Sequence, residues 1–234
     1  MTRVGNRLEA RWLDAALHLL DRQVLGREGL MICNVDDLEL AEDTDHHLAV
    51  TGILVGPAAL WPRLSGTLGD ALRRTWLRLG VQYADRDVPA YIGLDLVDEI
   101  GAAVTLTVDR EGLLDKQPDA ETGEEHHRVG QLVGMDVRGP DGDRPGRVLD
   151  VRLAPKGSRT ARRLEVTHLV VGRSRPGTLL GYDRGDFNGP WLVHRIVKRL
   201  HRHTGLLPIT GVTTIDWEDQ HLDADRGLEP LTGV

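Results

Sequence analysis

Cysteine is almost absent: Cys33 is the only one in 234 residues. No intrachain disulfide can form, and a cysteine-rich zinc site and a CxxC redox pair are both excluded. A reducing, cytoplasmic setting is the default expectation. Aromatic residues are scarce, with five Trp, three Tyr and one Phe. That argues against RNA recognition, where bases stack on aromatic platforms. No apolar run approaches the roughly 18 uninterrupted residues of a membrane span. The apolar stretch within residues 1–23 carries charges throughout and does not read as a secretory signal. Attachment to the inner face of a membrane complex stays open. Lysine is rare too: Lys116, Lys156 and Lys198 stand among 29 basic residues. Phosphate-binding loops, GxGxxG turns opening a helix and the nucleophile elbow GxSxG are missing.

What is present suffices for packed cores, since apolar residues make up 40% of the chain. The net charge of −7 argues against general nucleic-acid binding. It is concentrated in residues 1–116, with 12 basic and 19 acidic side chains, against 17 and 17 in residues 117–234.

The chain repeats itself. LLDRQVLGREG at 19–29 aligns with LVGMDVRGPDG at 132–142, and VDDLEL at 35–40 with VLDVRL at 148–153. LAVTGILVGP at 48–57 aligns with LEVTHLVVGR at 164–173. The offset is 113 residues at first and 116 later, so the second copy has a loop three residues longer. A period this long signals duplication of a small domain, not a solenoid. Between the copies the polar stretch 115–128 has no apolar periodicity and reads as an exposed linker. The expected division is a first domain at 15–112, a linker at 113–128 and a second domain at 129–226. Within each copy, runs rich in β-branched residues flank turn signals, Pro140-Asp141-Gly142 above all. Helical spacing of apolar residues predicts one helix per copy, near 66–79 and near 190–203.

These features resemble the PRC-barrel family, a small β-barrel named after the photosynthetic reaction centre. The family's opening hairpin carries a GPDG-like turn followed by G-[RK]-V-x-D. The second copy matches with Gly139-Pro140-Asp141-Gly142, then Gly146-Arg147-Val148-Leu149-Asp150. The first copy keeps Gly29, Val35 and Asp37 but has Cys33-Asn34 where the family has Gly and a basic residue. The match covers roughly 19–57 and 132–173. It implies a mainly β fold with added helices, in two tandem barrels. It also implies a non-catalytic module that docks onto other macromolecules. Known members sit on the cytoplasmic face of a reaction centre or within a ribosome-maturation factor, and others are appended to membrane transporters. In this reading Gly29 and Gly142 supply a positive φ to the turn, Gly146 lets the strand bend, and Asp37 and Asp150 bond backbone amides.

Candidate chemistry is thin. The pairs His46-His47 and His126-His127 sit in polar stretches, and neighbours on an extended strand point to opposite faces, so both read as solvated loop. His194, His201 and His203 read as part of a basic helix face. Cys33 has Asn34, Asp36 and Asp37 beside it, the wrong electrostatics for a reactive thiol. Asp36-Asp37 and Asp98-Glu99 diverge as strand neighbours, which gives no support for paired acid/base work. The sequence therefore predicts no enzyme, no metal ligand and no cofactor. The candidate contact surface is the basic face of the second helix, Arg195, Lys198, Arg199 and Arg202, opposite an apolar stripe of Val193, Ile196, Val197 and Leu200. The leading expectation is an adaptor or assembly module that binds a protein partner, cytoplasmic or peripheral at the inner membrane face. The barrels would pack as a pseudo-twofold pair, with a homo-oligomer open. The alternatives are an RNA-linked ribosome-assembly factor and a small-ligand or metal-binding regulator.

Overall fold

The computed structural model describes residues 12–42, 47–60, 89–111, 113, 115–116, 126–155, 164–173 and 204–231. The expected helices near 66–79 and 190–203 lie outside the described residues. The described chain is mainly β, with curled sheets and three short helices. Two units emerge, residues 1–131 with 153–166 and residues 132–152 with 167–234. They do not part at 113–128 alone. Residues 153–166 belong to the first unit, because Leu164 and Glu165 pair with Val50 and Ala49.

The first unit opens with β1 (Leu13–Asp14), α1 (Ala15–His18), β2 (Gln23–Leu25), β3 (Met31–Asn34), β4 (Asp37–Glu42), β5 (Leu48–Val55) and α2 (Pro57–Leu60). After the undescribed stretch come β6 (Ala90–Gly93), a 3-10 turn at Leu94–Leu96, β7 (Val97–Ile100), β8 (Val104–Leu106) and β9 (Asp115–Lys116). Strand β10 (His126–Arg128) runs antiparallel to β4, and β4, β5 and β6 follow antiparallel in turn. A second sheet has the order β3-β2-β8-β7, with β2 parallel to β8. Leu38, Leu40, Leu54, Ile92, Ile100, Leu106 and Leu164 fill the core. A void beside Leu38, Ile100 and Leu164 measures about 10 Å³, at the limit of what one water needs.

The ends of the expected linker are not loop. Asp115–Lys116 pairs with Tyr91–Ala90, and His126–Arg128 pairs with Ala41–Glu39. The solvated-loop reading of His126-His127 is corrected here: His127 is 9% exposed, because β4 supplies its strand partner and carboxylates for both imidazoles. Helix α3 (Val129–Leu132) follows, its first turn closed by the Gln131 side chain, which accepts the Arg128 N–H at 2.8 Å.

The second unit contains β11 (Asp136–Arg138), the first seven residues of β12 (Gly146–Pro155), the later part of β13 (Leu164–Gly172), β14 (Gly205–Pro208), β15 (Val212–Asp216), β16 (His221–Ala224) and β17 (Glu229–Pro230). A 3-10 turn at Ile209–Gly211 separates β14 from β15. The strand order β12-β11-β16-β15 has β11 parallel to β16, and β14 joins β13 to β17. Met135, Val137, Val148, Val151, Leu169, Leu207 and Leu222 are buried.

Backbone hydrogen bonds recur at the sequence offset of 113. Asp21 N–H donates to Val35 O and Gly134 N–H to Val148 O, both at 2.8 Å. Gly26 N–H bonds Leu30 O as Gly139 N–H bonds Asp143 O, both at 2.9 Å. Val35 N–H reaches Arg22 O, and Val148 N–H reaches Met135 O. The positive φ values recur too, +78° and +73° at Gly29 and Gly142, with Asp21 and Gly134 also left-handed. Gly146 has a second reason to be glycine: at φ +149° its Cβ would lie 2.3 Å from the Gly172 carbonyl oxygen. No other side chain fits without moving backbone.

Candidate docking surface

The turn that closes β2 and β3 is built from Gly26 to Leu30, with Gly29 at positive φ and its N–H bonded to Gly26 O. Strand β3 then pairs with β2 through a bulge: Val24 faces Cys33 and Leu25 faces Met31, leaving Ile32 as the extra residue. Because β3 ends the four-stranded sheet, its outer edge carries no strand among the described residues. Leu30 and Met31 project here with 65% and 49% of their surface exposed. They are the exposed large hydrophobics among the described residues. At the equivalent positions of the second hairpin, 113 residues on, stand Asp143 and Arg144, both exposed. One hairpin tip thus has the ordinary polar surface, while the other presents two adjacent apolar side chains to water. Single exposed apolar residues are commonplace, but an adjacent pair on a sheet edge is the feature that strand-pairing partners use.

Cys33 lies on the same edge, half-buried. Burial, and then the Asp36 charge, push its thiol up to about 11. It is an inert side chain at neutral pH.

A buried charged cluster occupies the polar face of β4. Asp37 is 0% exposed and Glu39 is 1% exposed. Asp37 Oδ1 accepts the Leu38 N–H at 2.8 Å and the Gly130 N–H at 3.0 Å, tying α3 to β4. Thr51 donates its hydroxyl to Glu39, whose other oxygen lies 3.4 Å from His126 Nδ1. Tyr91 donates to Thr51 O at 2.9 Å, and burial, then the Glu39 charge, raise its phenol above the ordinary range. Arg128 donates to Ala58 O at 2.9 Å. Burial pulls its guanidinium below the usual range while Asp37 and Glu39 oppose that shift. Such a set could be mistaken for acid/base machinery. The hydrogen bonds of Asp37 Oδ1, Thr51, Tyr91 and Arg128 run within this set or to backbone, and Asp37 ties α3 to β4. A void of this core has an apolar lining that includes Leu38, Ile53, Leu94 and Val97.

The other sequence-marked residues separate cleanly. Gly29, Gly142 and Gly146 sit at the two hairpins. Asp150 Oδ1 accepts the Val151 N–H at 2.7 Å, as Asp37 does for Leu38. Asp98 and Glu99 both face solvent, because the register of β7 slips between Val97 and Glu99. The strand-alternation argument that sent them to opposite faces fails at that bulge. Arg195, Lys198, Arg199 and Arg202 lie outside the described residues, as does His46. The sequence reading missed Leu30 and Met31. Their signal was the replacement of a polar turn exit by an apolar pair between two otherwise aligned hairpins.

The second unit has a cleft of about 420 Å³, within the size range of small-ligand sites. Val137, Pro145 and Leu207 give it apolar walls, with Asp143, Arg173 and Arg226 at the polar positions. Arg226 is already held by Asp225 at 2.8 Å. Among the described residues no helix is long and apolar enough to cross a membrane. No protein-family model matches the chain, and no curated protein matches its sequence.

Proposed function

We propose that this chain is a non-enzymatic docking module made of two PRC-type barrels, and that the β2–β3 hairpin carries its protein-binding surface. The observation that carries the reading is the exposed pair of Leu30, at the end of the turn, and Met31, at the start of the edge strand β3, where the sister hairpin has Asp143-Arg144. Two apolar side chains left in water are tolerable in isolation and useful when a partner covers them, at about 25 cal/mol per Å² of apolar surface removed from solvent. Duplication of one barrel is supported by the hydrogen bonds and left-handed residues that recur at the offset of 113. The resemblance to PRC barrels rests on the GPDG turn and the Gly146–Asp150 motif. A docking role is further supported by the buried Asp37–Glu39 cluster, whose polar groups serve the fold. In this reading the protein works in the cytoplasm, free or peripheral at the inner face of a membrane complex. The basic residues Arg195, Lys198, Arg199 and Arg202 supply a second, electrostatic contact.

The test is affinity capture with the full chain, with and without detergent, comparing wild type with Leu30→Asp/Met31→Arg. That variant installs the sister hairpin's own residues, so it should fold normally. Loss of the captured partner is the expected result. Retention of every partner by this variant, with loss on reversing the four basic residues to Glu, would move the surface to the basic segment. Capture dominated by RNA, released steeply by salt, would favour the ribosome-assembly reading.

A further inference from the structure

The hairpin that joins β15 to β16 brings three metal-ligating side chains together: Asp216, Asp219 and His221. One ligand-type atom from each lies within 4.8 Å of the other two. Asp216 and His221 are directly opposed in the antiparallel register, so their side chains leave the same face of the sheet. Asp216 is fixed by its Oδ1, which accepts the N–H of Glu218 at 3.1 Å and of Asp219 at 2.8 Å. Gln220 turns the chain back at φ +54° and donates its side-chain amide to Trp217 O. The imidazole supplies a separate sign. His221 Nδ1 is closed to solvent and has no hydrogen-bond partner, although an enclosed ring nitrogen ordinarily finds one. Asp136, opposite His221 across the parallel pair, is bonded to Arg147 at 2.7 Å. Residues 212–225 carry five carboxylates and no Lys or Arg, so the field at this turn favours a cation.

We propose that Asp216, Asp219 and His221 form a binding site for a divalent transition-metal ion, with Zn²⁺ as the best fit. One imidazole and two carboxylates match the donor preference of zinc, whereas magnesium and calcium take mostly oxygen ligands in larger number. The three donor atoms are close enough to share one ion at bond lengths of about 2.0–2.2 Å after a small rotation of the exposed Asp219. Remaining coordination positions fall to water, which makes this an exchangeable site that pins the hairpin end. The histidine pairs and the helix histidines His194, His201 and His203 give the sequence analysis no metal ligand, and His221 is not weighed there. The overlooked pattern is D-x-x-D-x-H across a four-residue turn.

Isothermal titration of the full chain with ZnCl₂ tests the proposal, using wild type, His221→Gln, Asp219→Asn and the charge-matched control Glu218→Gln. The two ligand variants should each lose one zinc equivalent or weaken it at least tenfold. The control should stay within twofold, and MgCl₂ should give no heat that depends on His221. Asp219 is exposed, so Asp219→Asn keeps the fold and reads the site even if His221→Gln loosens the hairpin. Equal binding by Asp219→Asn and wild type would overturn the proposal. So would equal weakening by Glu218→Gln, which would mean diffuse attraction to the acidic turn.

Discussion

Replacing Asp37 with Ala removes one acceptor that serves two backbone donors, and the consequences can be worked from the geometry. The Leu38 and Gly130 N–H groups, at 2.8 and 3.0 Å from Asp37 Oδ1, both become unpaired in a buried site. Each unsatisfied buried donor costs about 1–3 kcal/mol. Arg128 also loses one of the two carboxylates that support its half-buried charge. Losing one partner of a buried pair costs about 3–5 kcal/mol. The terms overlap, so the expected loss is about 3–5 kcal/mol in the first unit. Asp37→Asn keeps an oxygen at the same place and should cost about half as much, through the lost charge. Asp150→Ala is the internal control. Its carboxylate accepts the neighbouring Val151 N–H in a half-buried setting and ties no distant helix to the strand, so a smaller loss of about 1 kcal/mol is expected. Urea unfolding gives the totals, and amide hydrogen exchange gives the location. Gly130 lies 93 residues from Asp37, so loss of protection there reports the tie between α3 and β4. A cost below about 1 kcal/mol, comparable to Asp150→Ala, with Gly130 still protected, would refute the reasoning.

Three further outcomes follow. Gly146→Ala should destabilise the second unit by more than about 2 kcal/mol, because its Cβ would lie 2.3 Å from a backbone carbonyl. Gly142→Ala has open space at φ +73° and should cost only about 1–2 kcal/mol, which paired thermal melts will separate. With its thiol pushed up to about 11, Cys33 keeps its proton below that pH. A disulfide reagent at pH 8 should therefore react with it about tenfold more slowly than with a thiol of pKa 9, the smaller thiolate fraction being partly offset by the more nucleophilic thiolate, and a rate near the free-thiol value would contradict its burial. Leu30→Asp/Met31→Arg should change the unfolding free energy by less than about 0.5 kcal/mol, as surface exchanges do. A larger loss would show that the pair packs against the protein itself.

The hairpin turns and the mainly β character were legible because they depend on local signals. Gly29 and Gly142 mark turns that need a positive φ, and the alternation in 164–173 marks a strand. The same alternation misleads in Asp37-Leu38-Glu39-Leu40. It reads as a strand with one wet face, yet all four residues are buried, because β10 and α3 arrive from far along the chain to cover the polar side. Nothing in His126-His127-Arg128 announces a strand: the segment is polar and its partners lie on β4. Asp98-Glu99 failed for a different reason, since a bulge resets the two-residue period that the sequence argument assumes. The exposure of Leu30 and Met31 was equally hidden. Apolar residues after a turn signal are read as the start of a buried strand, and only the bulge at Ile32 and the open sheet edge leave them in water.

The central claim, docking through the β2–β3 hairpin, is tested most directly by hydrogen–deuterium exchange on the full chain, free and bound to its captured partner. The account predicts new protection across residues 24–34 in the bound state, with the Leu38 and Gly130 amides protected in both. Protection confined to other segments, with 24–34 exchanging as fast as in the free chain, would contradict it.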